Sequence, residues 1–215
     1  SMTTKIAATA KAVARPDTEI IAANSQSGPT SIQGFLDVAT CVPGLLEEVA
    51  MHPDVDAIVI ACFDDTGLDA VRSLVSVPVL GIGEAAYHAA SMIATKFSVI
   101  TTLSRSVPGL ENNLMRYGLA QKCVRVRATD IPVLKLEEGD LTTLLKIQSE
   151  IREAITQDHA EAIVLGCAGM ADLMAQLSEE FGLPVIDGVA AGVTFAEDLV
   201  NNRLSTSKIG AYSSE

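Results

Sequence analysis

Tryptophan is absent from the 215 residues, and aromatic side chains make up only 4% of them. The interior of a chain that is 48% apolar must therefore be filled by Ala, Val, Ile and Leu. That content is enough for a sizeable core, as one compact unit or two lobes of about 100 residues each. Basic residues are also scarce. Lys and Arg number 15 against 27 Asp and Glu, a formal charge of −12. A nucleic-acid binder needs a basic footprint to neutralise phosphates, so this balance argues against one. No apolar run approaches the roughly 20 residues that span a bilayer, and no secretory leader is legible at the start. The four cysteines, Cys41, Cys62, Cys123 and Cys167, contain no CxxC and are too sparse for a disulfide framework. They read as reduced thiols of a cytoplasmic protein. His52, His88 and His159 are scattered without metal-ligand spacing. Gly81-Ile82-Gly83 is not a dinucleotide fingerprint, because alanine stands at position 86 where GxGxxG needs glycine.

What the chain does have is a segment that occurs twice. Asp56-Ala-Ile-Val-Ile-Ala-Cys62 returns as Glu161-Ala-Ile-Val-Leu-Gly-Cys167, with the cysteines 105 positions apart. Each copy is followed by a matching second run, Val77-Pro78-Val79-Leu80-Gly81 and Leu183-Pro184-Val185-Ile186-Asp187, at a cysteine-to-proline spacing of 16 and 17 residues. The small-residue tails Glu84-Ala85-Ala86 and Val189-Ala190-Ala191 also agree. Two similar βαβ units, each ending a strand in a thiol, point to a pseudo-symmetric site with one sulfur on either face of a substrate. That geometry suits removal of a proton from one face of a carbon and its return to the other.

Apolar runs alternate with helical patterns along the whole chain. Strands are predicted over 18–24, 57–61, 77–81, 97–102, 124–128, 162–166 and 184–186. Helices are predicted over 2–14, 36–51, 66–75, 84–95, 108–117, 140–157, 170–181 and 188–202, with Pro108 in a first turn. Near-continuous apolar strands alternating with helices mean parallel sheets covered on both faces. The duplication implies two pseudo-twofold-related lobes, one of residues 1–95 plus 188–215 and one of 96–187, with the site in the cleft between them.

In parallel α/β sheets ligands collect beyond the carboxyl ends of the strands, where Cys62 and Cys167 both stand. Backbone N–H groups at a helix start favour anions, and the same field is expected to lower a thiol's pKa. The turn Gly166-Cys167-Ala168-Gly169 could offer N–H groups to a developing oxyanion, making Ala168 and Gly169 candidates. Phe63 is the candidate for an apolar pocket. Thr101-Thr102-Leu103-Ser104-Arg105-Ser106 either holds a polar substrate edge, through Thr101 and Thr102, or caps the next helix. The loop over 25–31 reads as a turn, with Gly28 a possible substrate contact. Asp64 and Asp65 read as exposed turn or capping residues, since a carboxylate beside a thiol opposes its ionisation; Asp64 is also a candidate substrate contact. Cys41 and Cys123 have no counterparts and read as packing residues.

These residues resemble the Asp/Glu/hydantoin racemase superfamily, and specifically its hydantoin racemase branch. The likeness runs nearly end to end. It is carried by Ser27-Gly-Pro-Thr-Ser-Ile32, Ala61-Cys-Phe-Asp-Asp-Thr-Gly67, Gly81-Ile-Gly-Glu-Ala-Ala86, Ser98-Val-Ile-Thr-Thr-Leu-Ser-Arg-Ser106, Leu165-Gly-Cys-Ala-Gly-Met170 and Pro184-Val-Ile-Asp-Gly-Val-Ala-Ala191. The resemblance implies an isomerase that needs no metal or organic cofactor. Cys62 and Cys167 would be its catalytic pair, a 5-monosubstituted hydantoin its substrate and a homo-oligomer its assembly. Allantoin, a 5-ureido-hydantoin, is the nearest rival substrate. An aspartate or glutamate racemase, a decarboxylase on the same fold, a thiol redox sensor and a non-catalytic binder of a small cyclic ligand stand further off. The family usually opens with a strand and an Asn-Pro-Asn-Thr-like loop reaching the cleft, whereas this sequence begins at Ser1-Met2-Thr3, where that loop would end.

Overall fold

Apolar runs become parallel strands here because both of their faces are covered. In the computed structural model, which describes residues 1–137 and 139–213, six strands form two parallel sheets. β1 (Ile58–Ile60) pairs with β2 (Val79–Gly81), and a four-stranded sheet runs β4-β3-β5-β6. Its members are β3 (Phe97–Thr101), β4 (Cys123–Ala128), β5 (Ala162–Gly166) and β6 (Val185–Asp187). Every residue of the central strands β3 and β5 is buried. β4 is an edge strand, and its Arg127 is held by Asp158 and Glu150.

The duplicated sequence is a duplicated structure. β1 leads through α3 (Leu68–Leu74) to β2 and α4 (Ile82–Ile93). β5 leads through a 3-10 helix (Ala168–Leu173) and α7 (Met174–Phe181) to β6 and α8 (Gly188–Asn201). The paired prolines have equivalent jobs. Pro78 O accepts from Ile58 N at 2.9 Å and Pro184 O accepts from Ile163 N at 2.9 Å. A proline has no N–H to give but its carbonyl still opens the ladder, so it fits at a strand's first position. α4 and α8 pack against each other near their starts. The contact is close enough that a Cβ on Gly188 would lie 2.5 Å from Ile82 O, so only glycine fits there.

Three further helices surround the sheets: α2 (Phe35–Ala50), α5 (Val107–Arg116) and α6 (Leu141–Thr156). α1 (Met2–Val13), capped by Ser1 Oγ on Thr4 N, crosses α8 and the 3-10 helix after Cys167. The predicted helices are found within about two residues of their expected ends, with one change: 170–181 divides into the 3-10 helix and α7. The strand predicted over 18–24 is not formed. That stretch has Ile20 against the core, but it makes no ladder pairing among the described residues.

Candidate functional site

Each cysteine ends a matched strand, and each is held by the same local turn. Cys62 O accepts from Asp65 N at 2.9 Å, and Cys167 O accepts from Met170 N at 3.0 Å, three residues on in both copies. The N–H two residues on is directed at the sulfur in both, from Asp64 for Cys62 and from Gly169 for Cys167. Cys62 Sγ also lies 3.4 Å from Thr66 Oγ1, a contact with no counterpart in the duplicated pattern. Both thiols are half-buried and free.

A single carboxylate, Asp64, raises the pKa of both thiols, which places one charge within the field of both sulfurs. The expectation that a helix start would lower these thiol pKa values is overturned. Burial pushes Cys62 up to about 12, with Asp64 adding to it and the Thr66 hydroxyl opposing it. Burial likewise pushes Cys167 up to about 11, offset by the Gly169 N–H and by the charge of Lys5. Desolvation of the thiolate outweighs one or two N–H groups here. Burial also lifts Asp64, to about 6.

Lys5 reaches the site from α1. Its Nζ donates to Gly169 O at 2.9 Å and pairs with Asp172 at 2.8 Å, fixing the turn that carries Cys167. Its partners lie more than 160 residues away in sequence, so no local pattern announced it. Cys167 should therefore be alkylated by iodoacetamide ahead of Cys62 at pH 9, and both rates should climb about tenfold per pH unit toward the thiol pKa values. Lys5→Met should slow the Cys167 reaction severalfold while leaving Cys62 nearly unchanged. Peptide mapping by mass spectrometry reads both.

Asp65 corrects the sequence reading. It is 4% exposed rather than a surface turn residue, and its φ of 51° is in the left-handed region. It is a capping residue, but of a distant helix. Its carboxylate accepts from Gly83 N at 2.8 Å, Glu84 N at 2.7 Å and Tyr117 Oη at 2.7 Å. The second copy meets the same need differently, with α8 capped by its own Asp187, which accepts from Ala190 N at 2.8 Å. In the first copy Gly81 stands at that position, and a Cβ there would lie 2.1 Å from Asp65 Oδ1. Asp64 is also partly buried rather than exposed, with its backbone O held by Asn113 Nδ2 at 2.9 Å.

The other candidates divide. Thr101 is buried, and its hydroxyl donates to Gly166 O at 3.0 Å, so it braces the residue before Cys167. Thr102 is buried, and its O accepts from Ile131 N and Thr129 Oγ1. Ala168 and Gly169 are buried in the Cys167 turn. Phe63 is 4% exposed, with its ring edge-on to Tyr87 at 5.3 Å; the ring belongs to the core rather than to an open pocket. Gly28, at φ 104°, packs over Cys41 on α2, and no contact joins it to either cysteine. Of the run over 101–106, Ser104 is held through its N and Oγ by Asp130. Arg105 is exposed and has no hydrogen-bond or ion-pair partner among the described residues. Cys41 also feels the Asp64 charge, and Cys123 packs against the core.

An open cavity of about 160 Å³ adjoins the loop that follows Cys62. Asp64 lines it with Phe35, Val38, Arg105, Asn112 and Asn113, and neither cysteine does; Asp64 is thus the lining residue whose charge also acts on both sulfurs. Among the described residues no cluster of His, Cys, Asp or Glu is placed to hold a metal ion, and no helix is long and apolar enough to cross a membrane.

The fold and the paired thiols define an α/β protein of two parallel sheets flanked by helices, with its candidate site at the strand ends. Residues 1–196 match the family model described as Asp/Glu/Hydantoin racemase, and the chain belongs to that family. It is 46% identical over 214 residues to a hydantoin racemase of Rhizobium meliloti, covering 99% of this chain and 89% of the relative. It is 42% identical to a hydantoin racemase of Pseudomonas sp. (strain NS671), over 99% of this chain and 86% of that protein. Among solved structures, allantoin racemase from Klebsiella pneumoniae superposes with a TM-score of 0.96 at 45% identity, covering 99% of this chain and 87% of that one.

Proposed function

We propose that this protein is an isomerase that racemises 5-monosubstituted hydantoins by proton transfer at C5 between Cys62 and Cys167, without a cofactor. The observation that carries this reading is the pair of equivalent cysteine turns, each with an N–H on its sulfur, sharing the field of Asp64. The C5 proton lies beside the C4 carbonyl, so its removal gives an enolate. One cysteine, as thiolate, takes the proton from one face, and the other, as thiol, returns one to the opposite face. The roles exchange with the direction of reaction. The site must keep one sulfur ionised and one protonated, and two coupled thiols titrate in that staggered way. Cys167, with the lower pKa and with Lys5 nearby, is the sulfur that ionises first.

Both thiols titrate above the range where a general base works best at neutral pH. The thiolate fraction, and with it kcat/KM, should therefore rise with pH through about pH 8 to 10. The lobes that close on the ring are assigned to residues 1–95 plus 188–215 and 96–187, a division supported by the packing of α8 on α4, β1 and β2. Residues 138, 214 and 215 of that assignment lie outside the described residues.

The test is polarimetry on a single enantiomer of 5-benzylhydantoin and, separately, of allantoin. Decay of rotation to zero, faster than the uncatalysed rate, supports the reading. Stable rotation with both compounds contradicts it.

A further inference from the structure

The cavity beside Asp64 is lined by both polar and apolar side chains. Phe35, 65% exposed, and Val38 form the apolar side. Asp64, Arg105, Asn112 and Asn113 form the polar side. The amide of Asn113 is committed to Asp64 O. The Arg105 guanidinium and the Asn112 amide have no partner among the described residues, and Arg105 and Asp64 are not paired with each other. One cavity therefore holds an unengaged donor fork, a carboxylate met only by its own backbone N–H, and an aromatic ring.

Taking the hydantoin reading as its basis, we propose that this cavity receives the substituent on C5 and that Arg105 and Asp64 select a planar substituent with both donors and acceptors, of the ureido type, over an aryl one. A ureido group presents one carbonyl oxygen and three N–H bonds. Arg105 has only donors to offer and meets the oxygen; ionised Asp64 has only acceptors and meets the N–H groups. The flat group lies against the ring of Phe35. A benzyl group fills the same apolar side but displaces water from both charged groups and returns no hydrogen bond, which is unfavourable. A carboxylate-bearing chain satisfies Arg105 and is repelled by Asp64. Asp64 also acts on both thiols, so Arg105 is the residue to change.

The experiment compares kcat/KM for single enantiomers of allantoin and 5-benzylhydantoin in the parent protein, Arg105→Met and Arg105→Lys. The parent should favour allantoin. Arg105→Met should lower the allantoin-to-benzylhydantoin ratio by about 10- to 100-fold, the loss expected for a charged hydrogen bond. It should appear mainly in KM for allantoin, and Arg105→Lys should recover part of it. Arg105 is exposed, so folding is not at issue. An unchanged ratio in Arg105→Met, or a parent that racemises only the benzyl compound, overturns this inference and leaves the racemase reading standing. A parent that racemises neither compound overturns both.

Discussion

Cys62→Ala and Cys167→Ala should each lower racemisation by about 10²- to 10⁴-fold, the contribution of one positioned acid or base. The informative result lies in what remains. A protein with one sulfur still has a base for one face of the ring, so each single variant should keep exchanging the C5 proton of one enantiomer with solvent. The two variants should do so for opposite enantiomers. NMR in D2O, starting from each enantiomer in turn, reads this directly. Cys123→Ala, at a thiol packed against the core, should racemise at the parent rate. Racemisation at the parent rate by either single variant of the pair is incompatible with two bases. The cysteine turns explain why the expected effects are alike. The two copies share the three-residue backbone bond and the sulfur-directed N–H, and they differ in accessories, Thr66 beside one thiol and Lys5 near the other.

The largest effect on stability should come from Asp65→Ala. The carboxylate satisfies two N–H groups at the start of α4 and the hydroxyl of Tyr117. Its removal leaves three donors in a largely buried place, at about 1 kcal/mol or more each, hence a loss of about 3 kcal/mol. For a chain of this length that corresponds to a fall in Tm of about 6–12 °C. Burial holds the Asp65 pKa up at about 7, above its ordinary 3.8. The folded state thus keeps the proton better than the unfolded chain does. The stability this contributes is complete below about pH 4 and is lost as pH rises through about 7. Asp65→Asn, which keeps an acceptor and has no charge to titrate, should lose less stability and should lack that decline. Thermal unfolding of the three proteins between pH 4 and 8 checks both statements. Equal melting of Asp65→Ala and the parent would contradict the capping role.

What could be read from the sequence followed from local signals. Apolar runs of strand length, each closed by a cysteine and followed at nearly equal distance by a Pro-Val pair, carried the repeat, the parallel sheets and the two candidate sulfurs. Signals that depend on distant partners were illegible. Asp65 looks like a surface turn residue until Gly83, Glu84 and Tyr117 converge on it from 18, 19 and 52 residues away. Lys5 is one lysine in an alanine-rich helix until the fold sets it on Gly169. The apolar pattern over 18–24 suggested a strand, but a strand also needs a neighbour in register, and none pairs with it among the described residues. Phe63 follows Cys62 directly in sequence, yet its ring turns to Tyr87. The direction of the thiol pKa values is hidden from the sequence for a related reason. The helix-start field is visible in a sequence, whereas the burial that outweighs it is a property of the folded chain.

The most direct test of the two-cysteine account is the early time course of one hydantoin enantiomer in D2O with the unaltered protein, measuring deuterium at C5 in the two enantiomers separately. If one sulfur removes the proton and the other delivers, the product should carry deuterium from the first turnovers while the remaining substrate stays protonated. Deuterium appearing equally in both enantiomers would mean that a single group serves both faces, and the roles assigned to Cys62 and Cys167 would be wrong.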